Sequence, residues 1–241
     1  MEHEETTSLD PMKVKAFWEA RGAKLGRVSF ESIGNFEEDP TLLALKTKLE
    51  QECILPRLRL TSETNVLDLG AGVGQWTFRF APAVRRVVAV EYASALAEIG
   101  KEEAARRQLG NVEYVVCPAE DYRSSEAFDV VFISGLFLYL TDAQVRRLLG
   151  NLRQLVKAEG MLFLRDGTSI LPARHQIIDQ LSVLLKERYS AVYRTTGEYV
   201  DLMKESGFLL TDDCQVFPEG CPLNKFPETR LRFYSFRPLP V

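Results

Sequence analysis

The sequence has little that could hold a metal and nothing that could cross a bilayer as a helix. Only two histidines, His3 and His175, occur in 241 residues, and none of the four cysteines (Cys53, Cys117, Cys214, Cys221) stands in CxxC spacing. No zinc ligand set follows from that. No apolar run approaches the ~20 residues that a spanning helix needs, and no apolar stretch follows the acidic start Met1-Glu2-His3-Glu4-Glu5. The expectation is a cytoplasmic protein with reduced thiols and no membrane partner. An excess of positive charge is also missing. The chain has 30 basic and 34 acidic residues, a net charge of −4, and the pairs Arg85-Arg86, Arg106-Arg107 and Arg146-Arg147 sit in separate segments rather than in one stripe. A nucleic-acid partner is therefore not expected. Internal repeats and low-complexity segments are absent too.

What is present is an ordinary globular composition, 46% hydrophobic and 27% charged, in a chain too short for two full catalytic domains. Residues 1–60 read as an N-terminal helical cap belonging to the same domain as a core at 61–241. A polar start at 1–10 precedes a helix at 12–21 with Val14, Phe17 and Trp18 on one face, interrupted by Gly22 and Gly26. Residues 27–38 follow no regular pattern. Asp39-Pro40 then supplies an N-cap and a first-turn proline for a second helix carrying Leu42, Leu45, Leu49 and Ile54.

From residue 65 short apolar strands alternate with helices. Strands are expected at 65–69, 87–91, 112–116, 128–133 and 161–165, with helices at 75–80, 93–108 and 142–157. Such alternation means a parallel sheet with helices on both faces, a Rossmann-like α/β fold. Thr141 with Gln144, and Thr195 with Glu198, have capping-box spacing, and Gly207 suits a helix stop. Residues 172–188, with Ile177, Ile178, Leu181, Leu184 and Leu185, read as an extra lid helix after the fifth strand. Strands at 208–217 and 230–237 can pair antiparallel at one edge.

The first strand leads into Asp68-Leu69-Gly70-Ala71-Gly72-Val73-Gly74. Glycines there permit positive φ and let a ligand touch the backbone. A dinucleotide fingerprint would require glycine at position 75, which is Gln75, and that counts against a dehydrogenase. Asp68 would sit badly beside phosphates but suits the ammonium of an aminoacyl-type ligand. Glu91, at the end of the second strand, is placed to accept ribose hydroxyls.

The stretch from Val66 to Trp76, with Glu91, Ala119-Glu120-Asp121 and Phe128-Asp129-Val130-Val131, resembles the class I S-adenosylmethionine-dependent methyltransferases. The likeness covers residues 65–166. It implies a seven-stranded, mostly parallel sheet with an antiparallel last strand. It also implies S-adenosylmethionine as cofactor, held by Asp68, Gly70, Ala71, Gly72, Gly74, Trp76, Glu91, Tyr92, Ala119, Glu120 and Ser134. The sequence departs from the family at Pro118, where an aspartate commonly reaches the adenine amino group; Glu120 or Asp121 is the expected substitute.

The acceptor should lie beyond the carboxyl ends of the strands. Tyr139, Arg165, Asp166 and His175 are the candidate catalytic groups there, and Trp18, Phe30, Phe137 and Arg194 the candidate acceptor contacts. Helices closing over a cleft favour a small acceptor, with methyl transfer to oxygen or nitrogen of a metabolite, by a monomer or homodimer. A protein N-terminal amine methyltransferase, suggested by Tyr139-Leu140-Thr141-Asp142 and Leu164-Arg165-Asp166-Gly167, and an inactive cofactor-binding partner are the alternatives.

Overall fold

The computed structural model describes residues 9–22, 30, 37–182 and 187–240. The polar start up to residue 8, Gly26, most of 27–36, and Leu184 and Leu185 lie outside the described residues. In chain order the elements are α1 (Pro11–Gly22), α2 (Pro40–Leu58), β1 (Asn65–Leu69), α3 (Thr77–Phe80), β2 (Arg86–Glu91), α4 (Ser94–Arg106), β3 (Val112–Val116), β4 (Phe128–Ser134), α5 (Asp142–Leu155), β5 (Val156–Ser169), β6 (His175–Ser182), β7 (Glu187–Tyr193), α6 (Thr196–Glu205), β8 (Phe208–Gln215) and β9 (Thr229–Pro238).

Seven strands form one sheet in the order β3-β2-β1-β4-β5-β9-β8. The first five are mutually parallel, and β9 runs antiparallel between β5 and β8. Strand order reverses between β1 and β4, so the crevice above their carboxyl ends is where a ligand is accommodated.

Both sheet faces are covered. On one side Leu67, Leu69, Val131, Ile133, Leu162 and Leu164 meet the buried faces of α5 and α6, including Leu148, Leu152, Tyr199 and Met203. On the other, Val66, Phe132, Phe163 and Phe233 meet Ile54 and Leu58 of α2 together with Trp76 and Phe80. Each fully buried side chain of this size contributes about 1.5–3 kcal/mol. Thus α2 covers the sheet itself, with Arg57 reaching Asp212 of β8 at 3.1 Å.

The helix starts follow the sequence signals. Asp39 accepts from the Thr41 and Leu42 amides ahead of Pro40, and both capping boxes form. The two capped ends are joined by Arg174, which bridges Asp142 at 2.9 Å and Glu198 at 2.6 Å.

Three expectations need correction. Residues 172–188 do not form a lid helix. His175–Ser182 and Glu187–Tyr193 are an antiparallel pair, β6-β7, standing apart from the main sheet, with His175 opposite Tyr193 and Leu181 opposite Arg188. The apolar residues at 177, 178 and 181 mimic a helical stripe, but Ile, Val and Tyr favour the pleated surface, and a register shift between Ile177 and Gln180 breaks the alternation. The expected fifth strand is far longer than 161–165. It starts at Val156 opposite Phe128 and is carried to Ser169 by its antiparallel neighbour. The helix expected at 75–80 is a single turn that starts only at Thr77.

Candidate functional site

The ends of β1, β2, β4 and β5, the loop after β3 and the inner side of α1 enclose a cavity of about 420 Å³. Its lining includes Asp68, Gly70, Ala71, Gly72, Trp76, Glu91, Tyr92, Ala119, Glu120, Ser134, Tyr139, Arg165 and Trp18, all anticipated from the sequence.

The loop 70–74 is built on positive φ at all three glycines, 74° at Gly70, 57° at Gly72 and 96° at Gly74. They do different work. A Cβ on Gly72 would meet nothing within 4 Å, whereas one on Gly74 would lie 2.2 Å from the Tyr114 hydroxyl and 2.7 Å from the Phe78 ring. Gly72 is therefore a ligand-facing position. Gly74 lies outside the cavity lining, and its lack of a side chain lets Tyr114 pack beneath the loop.

Two carboxyls flank the loop. Asp68 is 1% exposed and its Oδ2 accepts from the Thr77 hydroxyl at 2.6 Å. Burial pushes its pKa up to about 7; the Thr77 hydrogen bond opposes this, and the charge on Glu91 adds to it. Glu91 is also buried. Its Oε2 accepts from the Gly72 amide and its Oε1 from the Ala93 amide, both at 2.8 Å. Burial raises its pKa, while these backbone donors favour the charged form. A buried carboxyl beside a cavity is stabilised by any cation placed against it.

Beyond β3, Cys117, Pro118, Ala119 and Glu120 make an apolar wall with one acid. Glu120 Oε1 accepts from Gln144 at 2.8 Å. Asp121 turns outward to pair with Arg147 at 2.5 Å, leaving Glu120 as the acid on this wall.

At the opposite end, Tyr139 stands edge-on to Trp18, with ring centroids 5.0 Å apart. Burial raises the Tyr139 pKa well above the ordinary phenol range, so the phenol stays protonated. Next to them, Arg165 on β5 donates to the Ser134 hydroxyl at 3.1 Å and to Glu50 of α2.

The remaining candidates fall outside the cavity lining. Arg194 is fully buried and donates to the Phe137 and Leu140 carbonyls at 2.7 and 2.9 Å and to Asp142 at 2.6 Å. It clamps the loop after β4 instead of facing an acceptor. Asp166 is also buried, with its pKa raised by burial to about 7. Its oxygens accept from the Leu138 and Gly167 amides at 3.2 and 2.9 Å, which positions Tyr139 through its neighbours. Phe137 packs in the core against Tyr199. Phe30 lies on Phe78, 5.9 Å between centroids. His175 is on β6, its ring 5.9 Å from Tyr193.

Sequence reasoning missed Lys46, Gln144, Leu136, Met12 and Lys15, which also line the cavity. Lys46 carried one signal, its i,i+4 spacing to Glu50 on α2. The rest come from helix faces that only the tertiary fold turns inward.

Comparison with known proteins agrees with this geometry. A family model described as a methyltransferase domain matches residues 66–160. Phosphoethanolamine N-methyltransferase 3 of Arabidopsis thaliana is 30% identical over 163 residues, covering 66% of this chain and 31% of that protein. The chain therefore spans less than a third of that relative's length. Phosphoethanolamine N-methyltransferase 1 of Haemonchus contortus, solved with phosphoethanolamine and S-adenosylhomocysteine, superposes with a TM-score of 0.72 at 20% identity, over 95% of this chain and 49% of that one. The 1,6-didemethyltoxoflavin-N1-methyltransferase of Burkholderia thailandensis, solved with 1,6-didemethyltoxoflavin and S-adenosylhomocysteine, gives 0.66 at 17% identity over 99% of both chains. At these identities the two structures share the fold. With the glycine loop, its two flanking carboxyls and the strand order, the chain belongs to the class I S-adenosylmethionine-dependent methyltransferase family.

Proposed function

We propose that the chain binds S-adenosylmethionine in this cavity and methylates a nitrogen of a small molecule. The observation that carries the reading is the buried pair Asp68 and Glu91 on either side of an open Gly72. An ammonium at Asp68 compensates a carboxyl that burial otherwise keeps near neutrality, and Glu91 offers acceptor capacity to ribose hydroxyls beside the loop. Glu120 and the apolar wall at Pro118 and Ala119 suit the edge and face of an adenine ring.

When bound, the cofactor supplies a methyl group activated by sulfonium charge. The protein's own contribution is chiefly placement, which is worth about 7–11 kcal/mol when reacting atoms are held at attack distance. Trp18 and Tyr139 form the aromatic end of the cavity, where α1 and the β6-β7 pair narrow access to the strand ends. The Tyr139 phenol, held protonated, orients an acceptor as a hydrogen-bond donor and does not act as a base. Asp166 and Arg194 fix the backbone that carries it.

Nitrogen is favoured over oxygen because the relatives above are named as N-methyltransferases. The test is transfer of labelled methyl groups from S-adenosylmethionine to a panel of small amines including phosphoethanolamine, matched phenols, and peptides with free amino termini. Label confined to small amines is expected. Label entering peptides or phenols instead would overturn the assignment.

A further inference from the structure

A cluster of charge on the floor of the cavity is not accounted for by the groups described so far. Lys46 and Arg165 both line the cavity, and both pair with the same acid: Lys46 Nζ stands 3.1 Å from Glu50 Oε1, and Arg165 donates to that same oxygen. Glu50 is buried, and Lys46 and Arg165 are nearly so. Two cations therefore share one carboxylate, leaving a positive charge next to a cavity. Arg165 Nε, which is buried, has no hydrogen-bond partner. A surplus cation in such surroundings is stabilised by an anion brought to it.

The cluster also faces the right way. Asp68 is in register with Phe132, and Ser134 with Arg165. Residues 132 and 134 of β4 point to the same side of the sheet, so Asp68 and Arg165 share a face, with only β4 between their strands. The Arg165 guanidinium leans back across β4 to reach Ser134 and lies 6.0 Å from the Trp76 ring. Trp76 follows the glycine loop that Asp68 introduces. A negative group and a positive group thus stand on one cavity wall, a pairing that matches an α-amino acid with its ammonium at one end and its carboxylate at the other.

We propose that Lys46 and Arg165 form the carboxylate subsite of this cavity, holding the amino-acid carboxylate of the S-adenosyl ligand while Asp68 holds its ammonium. The assignment rests on S-adenosylmethionine binding as read above. Glu50 acts as a positioning residue: it keeps both cations in place and is too well buried to approach the ligand. Lys15, on α1 at the cavity's edge, is the other cation of the lining. It is exposed, so water already screens it.

The test compares S-adenosylhomocysteine with its decarboxylated analogue, which keeps the ammonium and the nucleoside, by calorimetric titration of the full chain and of Lys46→Met and Lys46→Gln. The parent protein is expected to prefer S-adenosylhomocysteine at least tenfold. Both variants are expected to lose most of that preference while binding the decarboxylated compound within about threefold of the parent. A purely structural lysine would weaken both ligands together and leave the ratio unchanged, which would overturn the subsite. Full preference retained in a variant whose melting temperature matches the parent would overturn it as well. If the parent binds neither compound, the cofactor reading itself falls, and the subsite with it.

Discussion

The Thr77 hydroxyl donates to the buried Asp68 carboxyl over 2.6 Å, so the acid at the end of β1 is held by the first residue of the helix that its own loop leads into. Loop and acid are therefore a single unit. The carboxyl is nevertheless buried enough that its folded-state pKa lies near 7 rather than at the ordinary 3.8. The unfolded chain gives up this proton near pH 4 and the folded protein near pH 7. Asp68 thus costs no stability below pH 4, costs progressively more between pH 4 and 7, and costs up to about 4 kcal/mol above that. Asp68→Asn should flatten this part of the profile, as measured by urea unfolding at pH 5 and pH 7.5. A variant as steeply pH-dependent as the parent would contradict it.

The same proton links to the ligand. An ammonium against Asp68 favours the ionised carboxylate, so binding expels a proton below pH 7. Affinity for S-adenosylhomocysteine should rise between pH 5.5 and pH 7, approaching tenfold per unit at the acid end, and Asp68→Asn should abolish the slope. Calorimetry in buffers of different ionisation enthalpy would count the proton directly. No proton released at pH 6 would count against the contact.

Gly72 and Gly74 separate ligand space from packing. Gly72→Val should lose measurable cofactor binding at modest cost in stability, because a side chain there enters open cavity at a φ of 57°. Gly74→Ala should instead unfold more readily than the parent, by about 1–3 kcal/mol, since its Cβ collides with Tyr114 and Phe78. Thermal melts and titrations on the same two variants would reverse this ordering if the roles were exchanged.

Arg194→Ala should destabilise the protein by roughly 3–5 kcal/mol, because it strands two buried carbonyls and removes a fully buried partner of Asp142. Where the variant still folds, acceptor KM should move with the loop carrying Tyr139. A variant of parental stability with a large KM change would place Arg194 on the acceptor instead.

Much of the fold and of the cofactor end was legible in the sequence, since backbone demands are local. Glycine at three loop positions, an acid just before them and another at the end of β2 are one-dimensional signals, and they converge because β1 and β2 are adjacent parallel strands. The acceptor end was less legible. Tyr139, Trp18 and Arg165 were found, yet Arg194, Phe137 and Asp166 are drawn into clamps and core by contacts across distant elements. The β6-β7 pair was misread because Ile177, Ile178 and Leu181 satisfy a helical stripe over too short a window. Lys46 was passed over because a charged residue on an amphipathic helix normally faces water, and only the approach of Arg165 from β5 turns it to the cavity.

The most direct test of the account is a calorimetric titration of the chain with S-adenosylhomocysteine and, separately, with NADH, repeated on Asp68→Ala. Saturable one-to-one binding of S-adenosylhomocysteine that Asp68→Ala abolishes without unfolding the protein, and no binding of NADH, is the predicted result. Binding of NADH with none of S-adenosylhomocysteine, or binding of S-adenosylhomocysteine that survives in Asp68→Ala at parental affinity, would contradict it.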